Sequence, residues 1–470
     1  MRTATPLFLL ITLNSIVVSG AKKSANVTAG ELMDLIMGDL FKRTSELISI
    51  AEELTDEGFS RLIACKEKGD ACKKVPEIIR SQGFKVEEHE VVTRDGYILT
   101  LHRVINPLVE QRYRRLLRPV ILQHGFPTCS IDWVFGSPDV GPMPWPCNQC
   151  NEPFDMDPSN DQQHPRSLAY YLVNEGFDVW LANSRGNTYS QSHISKSTID
   201  PSFWDFSFDE QIDYDLPDTI LYIQINTSFE KIAFVGHSLG SLIMFGLLSD
   251  QPKYADIIEP FVALAPVVYL HNTKSMLSRL LPLELLSGNI KIGLLAGELG
   301  RYAIRQTCQF MDCVQSFYNV YGYDPDAYDH NRTQILNHHL PSGTSYRNMM
   351  HFGQLMFNKN FTRYNYGLSE NLIRHGQALP PIYDLGKIKS KSIVIFNSKD
   401  DLMADQEDVN LLIQNLRVKP FERYVVSRDL TEGRFNHVHF LYGKYSGVLV
   451  NKRVVKILKL FRKKSKHRRL

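Results

Sequence analysis

The stretch from Lys231 to Leu248, KIAFVGHSLGSLIMFGLL, restricts the fold more than any other part of the chain. A short apolar run, Ile232 to Val235, leads into Gly236-His237-Ser238-Leu239-Gly240, and an apolar helical pattern follows at once. A strand can turn into a helix this quickly only if side chains are missing at the tightest points, and a glycine stands two positions to either side of Ser238. Such a turn exposes the serine hydroxyl at a helix N-terminus, where N–H groups and the helix dipole favour a developing anion. A bare G-x-S-x-G also arises by chance as an ordinary turn. Here the strand before it and the helix after it favour a nucleophile.

The rest of the chain supplies the sheet that such a turn needs. Short apolar runs recur at Pro119 to His124, Phe177 to Leu181, Phe261 to Ala265, Ser392 to Phe396 and Arg423 to Val426. Buried parallel strands read this way. Helical stretches between them, such as Pro165 to Glu175 and Asp405 to Leu416, imply an α/β class with a mostly parallel sheet flanked by helices. Lys85 to Val104 alternates around Arg94-Asp95-Gly96, which predicts an opening hairpin. The interval Val267 to Asp384 breaks the rhythm. It is rich in Tyr, Phe, Met, His and Asn and separates two groups of strands, so a mainly helical cap inserted over the sheet is expected there.

A serine hydroxyl needs a base, and the partners of such a turn follow in the order acid, then histidine. Asp401 closes the strand and turn IVIFNSKDD, and His437 lies in FNHVHFLYG after the final strand. His437 would take the serine proton, with Asp401 orienting the imidazole. Asp400 and Asp405 are the competing acids, although Asp405 reads better as a helix N-cap, and His439 is the competing base. Acyl transfer also needs oxyanion donors. The loop His124-Gly125-Phe126-Pro127 follows the third core strand, which makes the main-chain N–H groups of Phe126 and Leu239 the candidates. The bland reading of that loop is a tight turn.

The N-terminal residues suggest a route through the secretory lumen. Arg2, the apolar run Pro6 to Val18 and the small residues Ser19 and Gly20 read as a signal peptide over 1–20, with a signal anchor as the alternative. Sequons at Asn26, Asn226, Asn331 and Asn360 are glycosylation candidates. The chain has seven cysteines; Cys308 with Cys313, and Cys65 with Cys72, are close enough to bridge in an oxidising compartment. Cys147-x-x-Cys150 has no second pair or histidine pair at zinc spacing, so neither a metal nor any other cofactor is expected.

Charge is concentrated at the other end. Lys452 to Leu470 holds ten Lys and Arg and no acid, which leaves −8 for the other residues once these ten are taken from the net +2. Apolar Val454, Val455, Ile457, Leu458, Leu460 and Phe461 recur among the bases at helical spacing, predicting a core-packing helix with a solvated basic end. That end offers contact to an anionic membrane, whereas no nucleic acid partner is expected. Residues Glu31 to Glu57 have helical spacing without an evident core around them and suit a pro-segment.

Several unusual strings occur together and in order: VEEHEVVTRDGYILTLHRV, LQHGF, GFDVWLANSRGNTYSQSH, FWDFSFDEQIDYDLP, GHSLG, PSGTSYRNMMHFGQLM, ADQEDV and NHVHFLYG. From about Val86 to Gly443 the chain resembles the acid lipase family, which includes gastric and lysosomal acid lipases and insect acid-lipase-like enzymes. The resemblance implies an α/β-hydrolase fold, an inserted cap, and a lipid carboxylic ester as substrate at a lipid–water interface. In the family's motifs Ser238, Asp401 and His437 match the catalytic triad, and Phe126 and Leu239 match the oxyanion-hole positions. Two departures stand out: the family usually has Gln where this chain has Leu239, and Leu where it has Phe126. Residues 136–163, rich in Pro, Asp and Asn, also look longer than the family's loop.

The chain thus divides into a signal peptide (1–20), a helical N-terminal extension (21–80), two parts of an α/β-hydrolase core (81–266 and 385–451), the cap (267–384) and a basic tail (452–470). A secreted or lysosomal lipid-ester hydrolase is the leading function. A catalytically weak lipid carrier on the same fold is the runner-up, and a peptidase shares only the triad.

Overall fold

The computed structural model describes residues 69–136, 141–144, 165–275, 293–294, 321–322, 324, 327–428 and 434–464. The expected signal peptide, Asn26, Cys65, the Cys147-x-x-Cys150 pair, Cys308, Cys313 and most of 136–163 lie outside these residues.

Eight strands form one mixed sheet: β1 (Lys85–Val92), β2 (Tyr97–Ile105), β3 (Arg118–Gln123), β4 (Phe177–Ala182), β5 (Ile232–His237), β6 (Ile258–Leu264), β7 (Ile393–Ser398) and β8 (Glu422–Val426). Their order is β1-β2-β4-β3-β5-β6-β7-β8, with the two-residue strand Ser192–His193 added on β2. β1 and β2 make the antiparallel hairpin, and its turn uses Gly96 at φ +94°. From β4 through β3 to β8 every neighbouring pair is parallel. β3, β4, β5 and β7 are buried along their whole length. Apolar side chains on both faces of these strands require cover on both sides, which the helices provide.

One strand is longer than its sequence suggests. The apolar run starts at Phe261, yet β6 begins at Ile258, ahead of Pro260, which cannot donate to a ladder. The pairing of β5 with β6 slips between Ile232 and Phe234, so the strand passes proline at a bulge where no donor is needed.

Helices α1 (Val75–Ser81), α2 (Leu168–Asn174), α3 (Leu216–Thr227), α4 (Leu239–Asp250), α5 (Tyr346–Phe357), α6 (Gln406–Asn415), α7 (His439–Tyr442) and α8 (Lys452–Lys464) complete the part that places the site. α1 falls within the span read as an extension, but its Val75, Ile78 and Ile79 join the main core. α6 is capped by Asp405, which accepts from Glu407 N at 2.8 Å. α8 buries Val454, Val455, Ile457, Leu458 and Phe461, while Leu460 faces out. Its basic residues also take part in docking: Arg462 donates to Glu175 O at 2.9 Å, and buried Arg118 of β3 donates to Phe461 O at 2.8 Å.

Residues 267–384 enter after β6 and return before β7. Their described part meets the core along Asp205 to Asp215. Arg347 pairs with Asp205, Arg363 Nη1 meets Asp213 at 2.8 Å, and Asp209 accepts from Tyr364 N at 2.8 Å and from Tyr383 Oη at 2.6 Å.

Candidate active site

Parallel strands of matched register bring their C-terminal ends to one edge of the sheet, and the residues read as nucleophile, acid and oxyanion loop follow that edge. Leu122 pairs with Val235, Val235 with Val262, and Leu264 with Phe396. His124, Ser238 and Asp401 then follow the ends of β3, β5 and β7. Ligands of open α/β sheets bind outside this edge.

Ser238 has φ 54° and ψ −116°, a conformation that a non-glycine residue adopts only when its surroundings impose it. Those surroundings are visible. A Cβ on Gly236 would lie 2.6 Å from the carbonyl carbon of Gly240, and one on Gly240 would lie 2.4 Å from Gln123 O. Both glycines are therefore forced by main-chain contact. Ser238 N donates to Leu264 O at 2.9 Å, tying the turn to β6.

From the serine a chain of hydrogen bonds runs inward. His437 Nε2 lies 2.9 Å from Ser238 Oγ, and His437 Nδ1 lies 2.9 Å from Asp401 Oδ2 and 3.2 Å from Oδ1. Asp401 is 2 % exposed, and its Oδ1 also accepts from Met403 N and Ala404 N, each at 2.8 Å. The carboxylate, held by these bonds, accepts from His437 and so fixes the histidine tautomer with hydrogen on Nδ1. The rival residues are engaged elsewhere. Asp400 accepts from Phe435 N at 3.1 Å, Asp405 caps α6 and pairs with Lys274 at 2.7 Å, and His439 accepts from Asn436 N at 3.0 Å.

The loop after β3 presses on Ser238. A Cβ on Gly125 would lie 3.2 Å from Ser238 Cβ, so only glycine leaves the loop this close without displacing a neighbour. His124 Nε2 accepts from Ser184 N at 3.0 Å while Nδ1 reaches Gly125 O at 2.7 Å, which is the pattern of a neutral imidazole; burial pushes its pKa down to about 4. Phe126 follows Gly125, and its ring packs on Phe352 of α5 with centroids 5.0 Å apart. Leu239 is the first residue of α4, where a helix provides no acceptor for the N–H.

Two neighbours of His437 carry no sequence signal of their own. His237 Nε2 meets His437 O at 2.9 Å, and burial lowers its pKa to about 3, so it is a neutral donor to that carbonyl. Tyr321, from the inserted segment, lies parallel to the His437 ring with centroids 5.8 Å apart, and burial pushes its pKa up to about 12. His237 is the first variable residue of G-x-S-x-G, and Tyr321 sits in no motif; only the fold shows what they touch.

Family profiles cover the same ground: one described as a partial alpha/beta-hydrolase lipase region matches residues 75–137, and one described as alpha/beta hydrolase fold matches residues 118–282. Lipase member J of Homo sapiens is 32% identical over 380 residues, spanning 78% of this chain and 94% of the relative. The chain belongs to the acid lipase family. Gastric triacylglycerol lipase of Bos taurus is 31% identical over 385 residues (79% of this chain, 88% of that one), and lipase member K of Homo sapiens is 30% identical over 388 residues (80% and 88%). The chain is a carboxylic ester hydrolase, and the sheet described above is the α/β-hydrolase fold.

Proposed function

We propose that this acid lipase family member hydrolyses lipid carboxylic esters, of triacylglycerol or cholesteryl ester type, through an acyl-enzyme on Ser238. The observation that carries this reading is the pair of 2.9 Å hydrogen bonds linking Ser238 to His437 and His437 to Asp401 beneath a strained turn. Ser238 Oγ attacks the ester carbonyl as His437 Nε2 removes its proton, and the same nitrogen returns that proton to the leaving alcohol. Asp401 stabilises the imidazolium. The N–H groups of Phe126 and Leu239 receive the oxyanion, each worth a few kcal/mol in such sites. A water then repeats the sequence on the acyl-enzyme, releasing the carboxylic acid.

In this reading residues 267–384 act as a cap over the sheet edge. The contact of Phe352 with Phe126 supports that role, since it sets an apolar wall beside the oxyanion loop. A long acyl chain gains roughly 0.8 kcal/mol per buried CH₂ from such a wall. Passage through the secretory lumen, to the exterior or a lysosome, is supported by Cys72, which is disulfide-bonded, and by the exposed sequon residues Asn226 and Asn360. Asn331 begins the same tripeptide pattern, and the basic tail remains the candidate for an anionic membrane contact.

The test is ester turnover across acyl-chain lengths by the full chain, its Ser238→Ala form and its Phe352→Ser form. Turnover that rises with chain length, vanishes in Ser238→Ala, and in Phe352→Ser falls about three- to tenfold more for long chains than for short ones supports the proposal. Lipid binding without turnover in the parent protein would favour a carrier. Equal losses on all chain lengths in Phe352→Ser would reduce the enzyme to a general carboxylesterase.

A further inference from the structure

Asp132 is a carboxylate, 3 % exposed, that the mechanism above does not use. It stands in the 3₁₀ turn Ser130–Trp133, just after the oxyanion loop. Its Oδ2 accepts from Thr128 Oγ at 2.6 Å and lies 3.4 Å from Gly125 N, and its Oδ1 accepts from the Tyr442 hydroxyl. Gly125 and Thr128 bracket Phe126, whose N–H is a proposed oxyanion donor. Tyr442 closes α7, the helix that starts two residues after His437. One buried carboxylate therefore joins the loop that would receive the oxyanion to the segment that carries the base.

We propose that Asp132 is a positioning residue, which sets the distance between the oxyanion loop and the His437 segment by holding Thr128 and Gly125 on one side and Tyr442 on the other. The proposal rests on the catalytic reading given above. An acid is suited to the task because an unprotonated carboxylate only accepts, and all three groups around it donate. The arrangement is also demanding, since removing the carboxylate strands buried donors on both segments. Among the described residues, the titratable groups near it are Tyr442 of α7, Tyr321 of the inserted segment, and, on its own loop, Cys129 and His124. No cation is among them, and burial pushes the Asp132 carboxyl up to about 6. The bracket should thus lose its acceptor character as the medium acidifies through that value.

The experiment compares the full-length protein with Asp132→Asn, Asp132→Ala and Tyr442→Phe on a soluble short-chain nitrophenyl ester. Active sites are counted by complete reaction with a phosphonate ester, so that any misfolded fraction drops out of kcat. The expected result is a kcat per titrated site lower by about tenfold to a hundredfold in Asp132→Ala, a part of the loss caused by deleting an oxyanion donor outright. Asp132→Asn and Tyr442→Phe should lose less, with KM within about twofold of the parent. In Asp132→Asn the kcat profile should also lose the component that titrates near pH 6 in the parent, while the rest of its acidic fall remains. A role in folding alone would lower Tm and the number of titratable sites without changing kcat per site, and that result overturns the proposal. A parent protein with neither turnover nor a titratable serine would instead overturn the catalytic reading, and this inference with it.

Discussion

The turn at Ser238 and the seam along Asp205 to Asp215 are built on opposite principles. At the turn, sterics decide: a Cβ on Gly236 or Gly240 would collide with main chain, one on Gly125 would press on the His237 and Ser238 side chains, and few charges are involved. At the seam, charges are buried and paired. Arg185 is fully enclosed, its Nη1 2.6 Å from Asp95 Oδ2 and its Nη2 2.6 Å from Asp215 Oδ1, with the guanidinium 4.0 Å from the Tyr97 ring centroid. Close by, Arg347 and Arg363 of the inserted segment pair with Asp205 and Asp213. The first region is set by sterics within a short stretch, the second by ions that distant stretches bring together. Mutations should therefore separate them, with chemistry lost at the turn and stability lost at the seam.

The sharpest separation is expected at the triad. Ser238→Ala and His437→Ala should each lower kcat by about 10⁵-fold or more, with Tm and denaturant midpoint nearly unchanged. Near-normal turnover by Ser238→Ala would remove the nucleophile assignment. Next comes the acid. Asp401→Asn should lower kcat by about 10⁴-fold, because His437 loses its orienting anion, whereas Asp400→Asn should lose only severalfold, its bond being to Phe435 N. The reverse ranking, read from steady-state kinetics, would transfer the role to Asp400.

At the seam, Arg185→Met should destabilise the fold by about 3–5 kcal/mol in urea, because Asp95 and Asp215 are left with uncompensated charge. Its kcat per titrated site should stay within a few-fold of the parent; a loss as large as that of Asp401→Asn would mean the two regions are not separate. The smallest effect concerns pH. Burial first, and then the neighbouring Asp209 charge, raise the Glu210 carboxyl from its ordinary 4.5 to about 7. A folded-state pKa above the unfolded one means that the folded state binds the extra proton, so this group's contribution is fullest below about pH 4.5 and is lost as pH rises to about 7. Glu210→Gln should therefore gain on the parent in denaturant midpoint between pH 5 and pH 7, by on the order of 1 kcal/mol per pH unit. A constant offset across that range would show that Glu210 does not titrate there.

Much of the catalytic edge could be read from the chain alone. The glycines around Ser238, the buried strands and the order serine, acid, histidine are properties of short stretches, in which backbone sterics and apolar pattern leave few alternatives. Which of Asp400 and Asp401 meets His437 is harder to read. It depends on which carboxylate the turn aims at His437, and on the two N–H groups, of Met403 and Ala404, that hold it there. The apolar run does not show that β6 starts before Pro260, because only the neighbouring strand shows that the proline's missing donor falls at a bulge.

What lies behind that edge was decided by the tertiary structure. Asp132 and Tyr442 are 310 residues apart in sequence, His237 and the carbonyl of His437 are 200 apart, and Arg347 and Asp205 are 142 apart. Nothing local marks an aspartate or an arginine as half of a buried pair, since its side chain would sit equally well in water until the fold removes the water and supplies the partner. A glycine at a collision point needs no such partner, because the clash with a Cβ arises wherever the chain makes the same turn. For that reason the turn at Ser238 was written in one short stretch, while the network around the neighbouring loop and His437 came into being only when the strands were laid side by side.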